Sequence, residues 1–181
     1  LSGVLTRCRK RLKMKILAID PGNVRSGYVL AEYDEAEIRR VLRVGKVENA
    51  EMMQIISEIA ESAETDFAIE MIAGMGMAVG AEVFDTCVWI GRFWERALTR
   101  GFRRMGYIYR REEKLCLCGS PRAKDGNIRQ ALADRYAPGQ PNFGKGTKRQ
   151  PGFFFGFSAD MWAAMAVATT YYDKFIKGIR I

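Results

Sequence analysis

The chain has no histidine among its 181 residues. That absence excludes a Ser/His/Asp triad, an imidazole general base and every His-containing metal site, leaving catalysis to carboxylates, Lys, Tyr, Cys or Ser. Cysteine is scarce as well. Of Cys8, Cys87, Cys116 and Cys118 only the last two are close, in a C-x-C spacing that matches neither a zinc knuckle nor a redox C-x-x-C. They read as reduced thiols of a cytoplasmic protein. No apolar run approaches the roughly 18 residues of a membrane span, and the start lacks the apolar core of a signal peptide, so a soluble protein with no membrane partner is expected.

Acidic residues are the minority charge. There are 21 Asp and Glu against 29 Lys and Arg, a net charge of +8, and the basic residues recur in blocks. Such a balance favours an anionic partner such as nucleic acid, although a solvated basic surface would look the same. The hydrophobic share of 48% is enough for a sizeable core. The length suits a single domain over residues 14–181, preceded by a flexible basic extension over residues 1–13.

Lys15 to Asp20 is an apolar run closed by an acid and then Pro21-Gly22, which reads as a buried central strand ended by a turn. Val24 to Tyr33 and Ile38 to Val47 are two further strands of a meander, split by the acidic turn Asp34 to Glu37. Asn49 caps a helix from Ala50 to Ala63, with Met52, Ile55, Ile56 and Ile59 as its apolar stripe. Asp66 to Met71 is a fourth strand, and a glycine-rich loop over 72–80 leads to a long helix from Ala81 to Thr99. Arg104 to Tyr109 is a fifth strand, and a helix follows from Ala123 to Tyr136. Residues 138–156 show no apolar periodicity and read as a long working loop. Ser158 caps a closing helix on which Asp160, Ala163, Ala164, Val167, Ala168 and Tyr171 share a face.

Asp20 and Glu70 each end an apolar strand, and adjacent parallel strands would bring those ends side by side. Two carboxylates in a partly buried cleft repel, so one must hold a proton or a cation must neutralise them. Asp160 is a third acid, and small side chains at Ala163, Ala164 and Ala168 let its helix approach the sheet. An all-oxygen cluster suits Mg2+ or Mn2+ and disfavours zinc. Two such ions roughly 4 Å apart could activate water and stabilise the leaving oxygen in phosphodiester hydrolysis.

The order of three strands, helix, strand, helix, strand and closing helix, with Ala18-Ile-Asp-Pro-Gly22 on the first strand, resembles the RuvC-type Holliday junction resolvases of the RNase H-like superfamily, and more narrowly the RuvC-like endonucleases of bacteriophages. The likeness spans about residues 14–175. Asp20 matches the first-strand aspartate, Glu70 the glutamate ending the fourth strand, and Asp160 the first acidic or His position of the closing helix. Gly91 matches a glycine of the long helix. The stretch Tyr109 to Lys114 resembles one ending in a DNA-facing lysine, and Gly119, Ala123 and Lys124 resemble the next basic motif.

The resemblance implies an α/β, RNase H-like fold with a five-stranded mixed sheet, three strands antiparallel and two parallel, flanked by helices. It implies a crossover junction endodeoxyribonuclease of a bacterial or phage-infected cell, using two Mg2+ or Mn2+ ions. Asp20 would bridge the ions, with Glu70 and Asp160 each completing one side. One departure stands out: the family's second aspartate in the closing helix, three residues after the first, is Ala163 here.

Lys114, Arg122, Lys124, Arg129, Lys145, Lys148 and Arg149 are the candidate phosphate contacts. Met75 or Met77 could wedge into a junction centre or fill a core gap. Phe153, Phe154, Phe155 and Phe157 could stack on unpaired bases but read better as core anchors. Val83, Cys87, Ile90, Trp94 and Leu98 form a candidate homodimer face, and burial within the monomer would explain the same stripe. Set against a structure-selective endonuclease on four-way junctions or other branched DNA are a junction-binding protein without cleavage and an RNase H acting on hybrid duplexes.

Overall fold

The computed structural model describes residues 14–181 apart from 60, 75 and 77. Three strands, β1 (Met14–Asp20), β2 (Arg25–Tyr33) and β3 (Ile38–Glu48), are followed by α1 (Asn49–Glu58), β4 (Thr65–Met71), α2 (Ala81–Arg100) and β5 (Met105–Tyr109). Then come α3 (Arg110–Cys118), α4 (Asp125–Tyr136) and α5 (Ala159–Tyr171). The five strands form one mixed sheet in the order β3-β2-β1-β4-β5. The meander β1 to β3 is antiparallel, and β4 pairs parallel with both β1 and β5.

The apolar run of β1 is central because both its faces are covered; Ile16 to Ile19 are all at 0% exposure. Strand alternation then sorts the core into two layers. Leu17, Ile19, Tyr28, Leu30, Phe67 and Ile69 face α1 and α2, packing on Met52, Ile56, Ile90 and Phe93. Ile16, Ala18, Val29, Ala31 and Ala68 face α5 on the opposite side. β3 is an exposed edge carrying Arg39, Arg40, Arg43 and Lys46, charges that discourage a further strand from adding there.

The expected one-sided face of the closing helix is too narrow. Every residue from Ala164 to Tyr171 is buried, because the sheet lies on one side and Phe143, Phe153, Phe154 and Phe157 pack with α4 on the other. Its close approach also owes more to the sheet than to Ala163, which is half-exposed. A Cβ added at Gly27 on β2 would lie 2.7 Å from the Asp160 carbonyl oxygen, and one at Gly106 on β5 would lie 2.8 Å from the Tyr171 ring. Small residues beneath the helix let it sit directly on the strands.

Other expectations need correction. α1 ends at Glu58 rather than Ala63, since Ile59 turns extended to enter the core. Asn49 is its first residue and not its cap; the side chain is buried and bonded to the loop after β1. Ser158 does occupy the cap position of α5 but makes no capping hydrogen bond. α3 was not anticipated, although acids in its first turn and a left-handed Gly119 at its end are helix boundary signals. α4 begins at Asp125 instead of Ala123.

The loop over 138–156 has more order than its sequence suggests. It holds a short 3-10 turn at Asn142–Gly144, an isolated bridge between Gly146 and Pro151, and a buried Phe154 at its base. Phe157 is buried too, whereas Phe155 is exposed, so the aromatics are mostly core. The α2 stripe divides: Ile90 packs inward with Phe93 and Ala97, while Cys87 and Leu98 are exposed alongside Phe84 and Val88. Residues 1–13, Met75 and Met77, the subjects of two sequence expectations, lie outside the described residues.

Candidate active site

Parity along the strands decides where the acids point. Asp20 shares its side of β1 with Ile16 and Ala18, and Glu70 shares its side of β4 with Ala68, so both face the α5 layer. The parallel register pairs Ala18 with Ala68 and Ile19 with Ile69, leaving the two acids beside one another just beyond. Asp20 is also cross-strand neighbour to Gly27, the residue on which the first turn of α5 rests. That contact brings Asp160 over the same strand ends.

The loop after Asp20 is held by three hydrogen bonds. Asn49 Nδ2 donates to the Gly22 carbonyl at 2.9 Å, Ser26 Oγ donates to Asn49 Oδ1 at 2.6 Å, and the Gly22 N–H donates to Ser26 Oγ at 3.3 Å. All of Ser26 and nearly all of Asn49 are buried, so these bonds compete little with water. They fix the turn that ends β1.

The acids perturb one another as the sequence demands. Burial, the charge of Glu70 and a hydrogen bond shared with it push Asp20 up to about 8; Asp160 adds to the effect and Arg110 opposes it. Burial also raises Glu70, against the attraction of Arg110 and the bond from Asp20. Asp160 is partly exposed and forms an ion pair with Lys46 Nζ from the edge strand β3.

Among the described residues no three acid or thiol side chains are already arranged as an ion cage. Lys46 holds Asp160, and Asp20 and Glu70 are bonded to each other. The donor set nonetheless fits a hard divalent cation. It is all carboxylate, and a further acid, Glu113, is fully buried beside it with Oε1 lacking any partner.

Sequence reasoning missed Gly27, Lys46, Asn49, Arg110 and Glu113. Arg110 ion-pairs with both Glu113 and Asp125 while its charge acts on Asp20 and Glu70. An unanticipated α3 concealed Arg110 and Glu113, and only tertiary contacts distinguish Lys46 from other edge-strand cations. The asparagine had a signal, a polar residue at a helix start, that pointed to the wrong role.

The candidate phosphate contacts fall on α3, α4 and the loops beside them. Lys114 is half-buried on α3, Arg122 and Lys124 are exposed in the α3–α4 turn, and Arg129 is exposed on α4 with its guanidinium 4.4 Å from the centre of the Phe143 ring. Lys145 is half-buried. Lys148 and Arg149 are exposed at the tip of a tight turn, where the Thr147 N–H donates to the Gln150 carbonyl at 2.9 Å. A shallow groove lined by Met53, Val88, Arg92 and Arg96 lies between α1 and α2, on the sheet face away from the acids, and takes no part in this centre.

No family model and no curated protein matches the sequence. Solved structures do match. The chain is similar to RuvC of Thermus thermophilus with a TM-score of 0.64 at 16% identity, over 91% of this chain and 97% of that one. It is similar to T. thermophilus RuvC in complex with Holliday junction substrate with a TM-score of 0.63 at 13% identity, over 91% and 96% of the two chains. Strand order, helix layers and nearly end-to-end superposition thus agree: the chain has the RNase H-like fold in the form seen in RuvC.

Proposed function

We propose that the protein is a divalent-metal-dependent endonuclease that hydrolyses phosphodiester bonds in branched DNA such as four-way junctions. The observation that carries this reading is the meeting of Asp20, Glu70 and Asp160 at the open end of a RuvC-like sheet, where mutual repulsion and burial raise Asp20 to about 8. A structural ion pair would place a cation there. Instead the central pair shares a proton, a state that a divalent cation relieves.

Asp20, Glu70 and Asp160 would hold Mg2+ or Mn2+. When bound, such ions lower the pKa of water and stabilise charge on the leaving oxygen. A bound cation would compete with the proton on Asp20 and with Lys46 for Asp160. Lys46 is then free to meet a phosphate oxygen of the strand. Arg110 stays beside the centre, keeping Glu70 from taking up the proton that Asp20 loses.

Lys114, Arg122, Lys124, Arg129, Lys145, Lys148 and Arg149 would hold phosphates of the junction arms, and T. thermophilus RuvC has been seen with such a junction. A homodimer is part of this reading, since two opposed cuts need two centres. The exposed Phe84 and Val88 on α2, at 62% and 61% exposure, supply its apolar contact.

The test is incubation of an end-labelled synthetic four-way junction with Mg2+ or Mn2+. Nicks should appear, and Asp20→Asn or Glu70→Gln should reduce their rate at least about a hundredfold while junction binding persists. Binding without cleavage by the unaltered protein would favour a junction-binding role, for which Ala163 is the argument. Faster cleavage of an RNA/DNA hybrid than of the junction would favour an RNase H.

A further inference from the structure

Glu113 is a fully buried acid of this region that neither the strand ends nor α5 supplies. It lies in the first turn of α3, directly after β5, whose Tyr109 pairs with Met71, the residue next to Glu70. Its side chain is at 0% exposure. Arg110 donates to Oε2, while Oε1 is buried with no hydrogen-bond partner. Burial pushes its pKa well above the ordinary carboxylate value; the charges of Glu70 and Asp20 add to that, and Arg110 opposes it through its charge and its hydrogen bond.

A buried carboxylate oxygen without a donor is costly, and more so beside two other carboxylates. An apolar residue would fill the place at less cost if packing were its only purpose. Asp20, Glu70, Asp160 and Glu113 amount to four carboxylates, against one positive charge from Arg110 and one from Lys46. Arg110 is shared further with Asp125. The unpartnered oxygen is an unused ligand.

We infer that Glu113 is a metal-binding acid of this centre, with Oε1, presented from α3, as its ligand atom. It offsets the carboxylate missing at Ala163 on α5. Arg110 holds the opposite oxygen and so orients the free one, the arrangement by which a bonded neighbour positions a metal ligand. The inference rests on the metal-dependent reading above and adds a ligand to it.

The test is Mn2+ binding to the full chain without DNA, followed by calorimetry and by the loss of the free-ion electron paramagnetic resonance signal. Glu113→Gln keeps an oxygen to accept from Arg110, and it should weaken Mn2+ binding at least about tenfold. Its thermal midpoint in EDTA should equal or exceed that of the unaltered protein. Unchanged Mn2+ affinity together with a lowered midpoint would overturn the inference and make Glu113 a structural partner of Arg110. If Glu113→Gln does not fold, Glu113→Asp retracts the carboxylate by one methylene; about tenfold weaker binding is then expected, and unchanged affinity is the overturning result. Mn2+ binding that Asp20→Asn abolishes but Glu113→Gln spares refutes this ligand alone, whereas no Mn2+ binding by the unaltered protein refutes the metal-dependent reading with it.

Discussion

Gly27 shows how much of the candidate centre depends on one missing methyl group. Its added Cβ would lie 2.7 Å from the Asp160 carbonyl oxygen and 3.1 Å from the Asp160 Cβ, both too close to keep without moving the helix. Gly27→Ala should therefore displace the first turn of α5 and slow junction cleavage by about tenfold to a hundredfold, since a 1 Å misplacement can cost that much. Initial-rate assays beside circular dichroism check this: slowed cleavage with the fold retained is expected. Asp20 yields a second residue-scale prediction. Its folded-state pKa of about 8 lies above the ordinary 3.8, so in metal-free protein the folded state keeps a proton that the unfolded state loses. Stability should fall as pH rises from about 4 to about 8 and level off beyond. Asp20→Asn removes the Asp20 share of that dependence, leaving the shares of the raised Glu70 and Glu113, and should stabilise the metal-free protein at pH 8 by on the order of 1–2 kcal/mol while abolishing cleavage. Urea denaturation in EDTA at several pH values measures it; a steeper fall in the variant would contradict the proton assignment.

At the scale of elements, α5 carries both the third acid and the packing that holds it. Trp162, at 6% exposure within an aromatic cluster, has ring centroids 4.5 Å from Phe154 and 5.2 Å from Phe157. Trp162→Ala should cost about 3–5 kcal/mol, the usual range for deleting a large buried aromatic. Chemical denaturation gives the value directly, and a loss below about 1 kcal/mol would show the cluster able to collapse. At the N-terminal end of β4, Asp66 is fully buried and accepts from Arg103 Nε at 2.9 Å and Nη2 at 2.8 Å and from Tyr33 Oη at 2.7 Å. This buried pair ties β4 to β2 and to the chain entering β5. The carboxylate here has its cation in place, in contrast to Asp20 and Glu70 at the other end of the same strands.

For the whole molecule, the net charge of +8 includes five basic residues within 1–13, and further basic residues sit on the edge strand β3 and from α3 to the loop over 138–156. Lys148 and Arg149 project from a turn held by the bridge between Gly146 and Pro151, so charge reversal there should not disturb the core. Replacing both with Glu should weaken junction binding and reduce the slope of log affinity against log salt by about 0.9 for each phosphate that is no longer neutralised. Fluorescence anisotropy across a salt series decides it. An unchanged slope would place this turn off the DNA.

Much was legible beforehand because it followed from local chemistry. The absence of histidine confined any metal site to oxygen and sulfur ligands, strand periodicity located all five strands, and apolar runs ending in acids singled out Asp20 and Glu70. Motif order supplied Asp160 and the fold. Contacts between distant segments were not legible, since no local pattern encodes them. Only the folded chain decides that Gly27 admits Asp160, that Lys46 reaches from the edge strand to pair with it, and that the Asn49 side chain at the start of α1 holds the loop after β1. The same is true of Glu113. Within its charged run it resembles a solvated helix residue, and only packing on the sheet buries it beside Glu70 with one oxygen unpartnered.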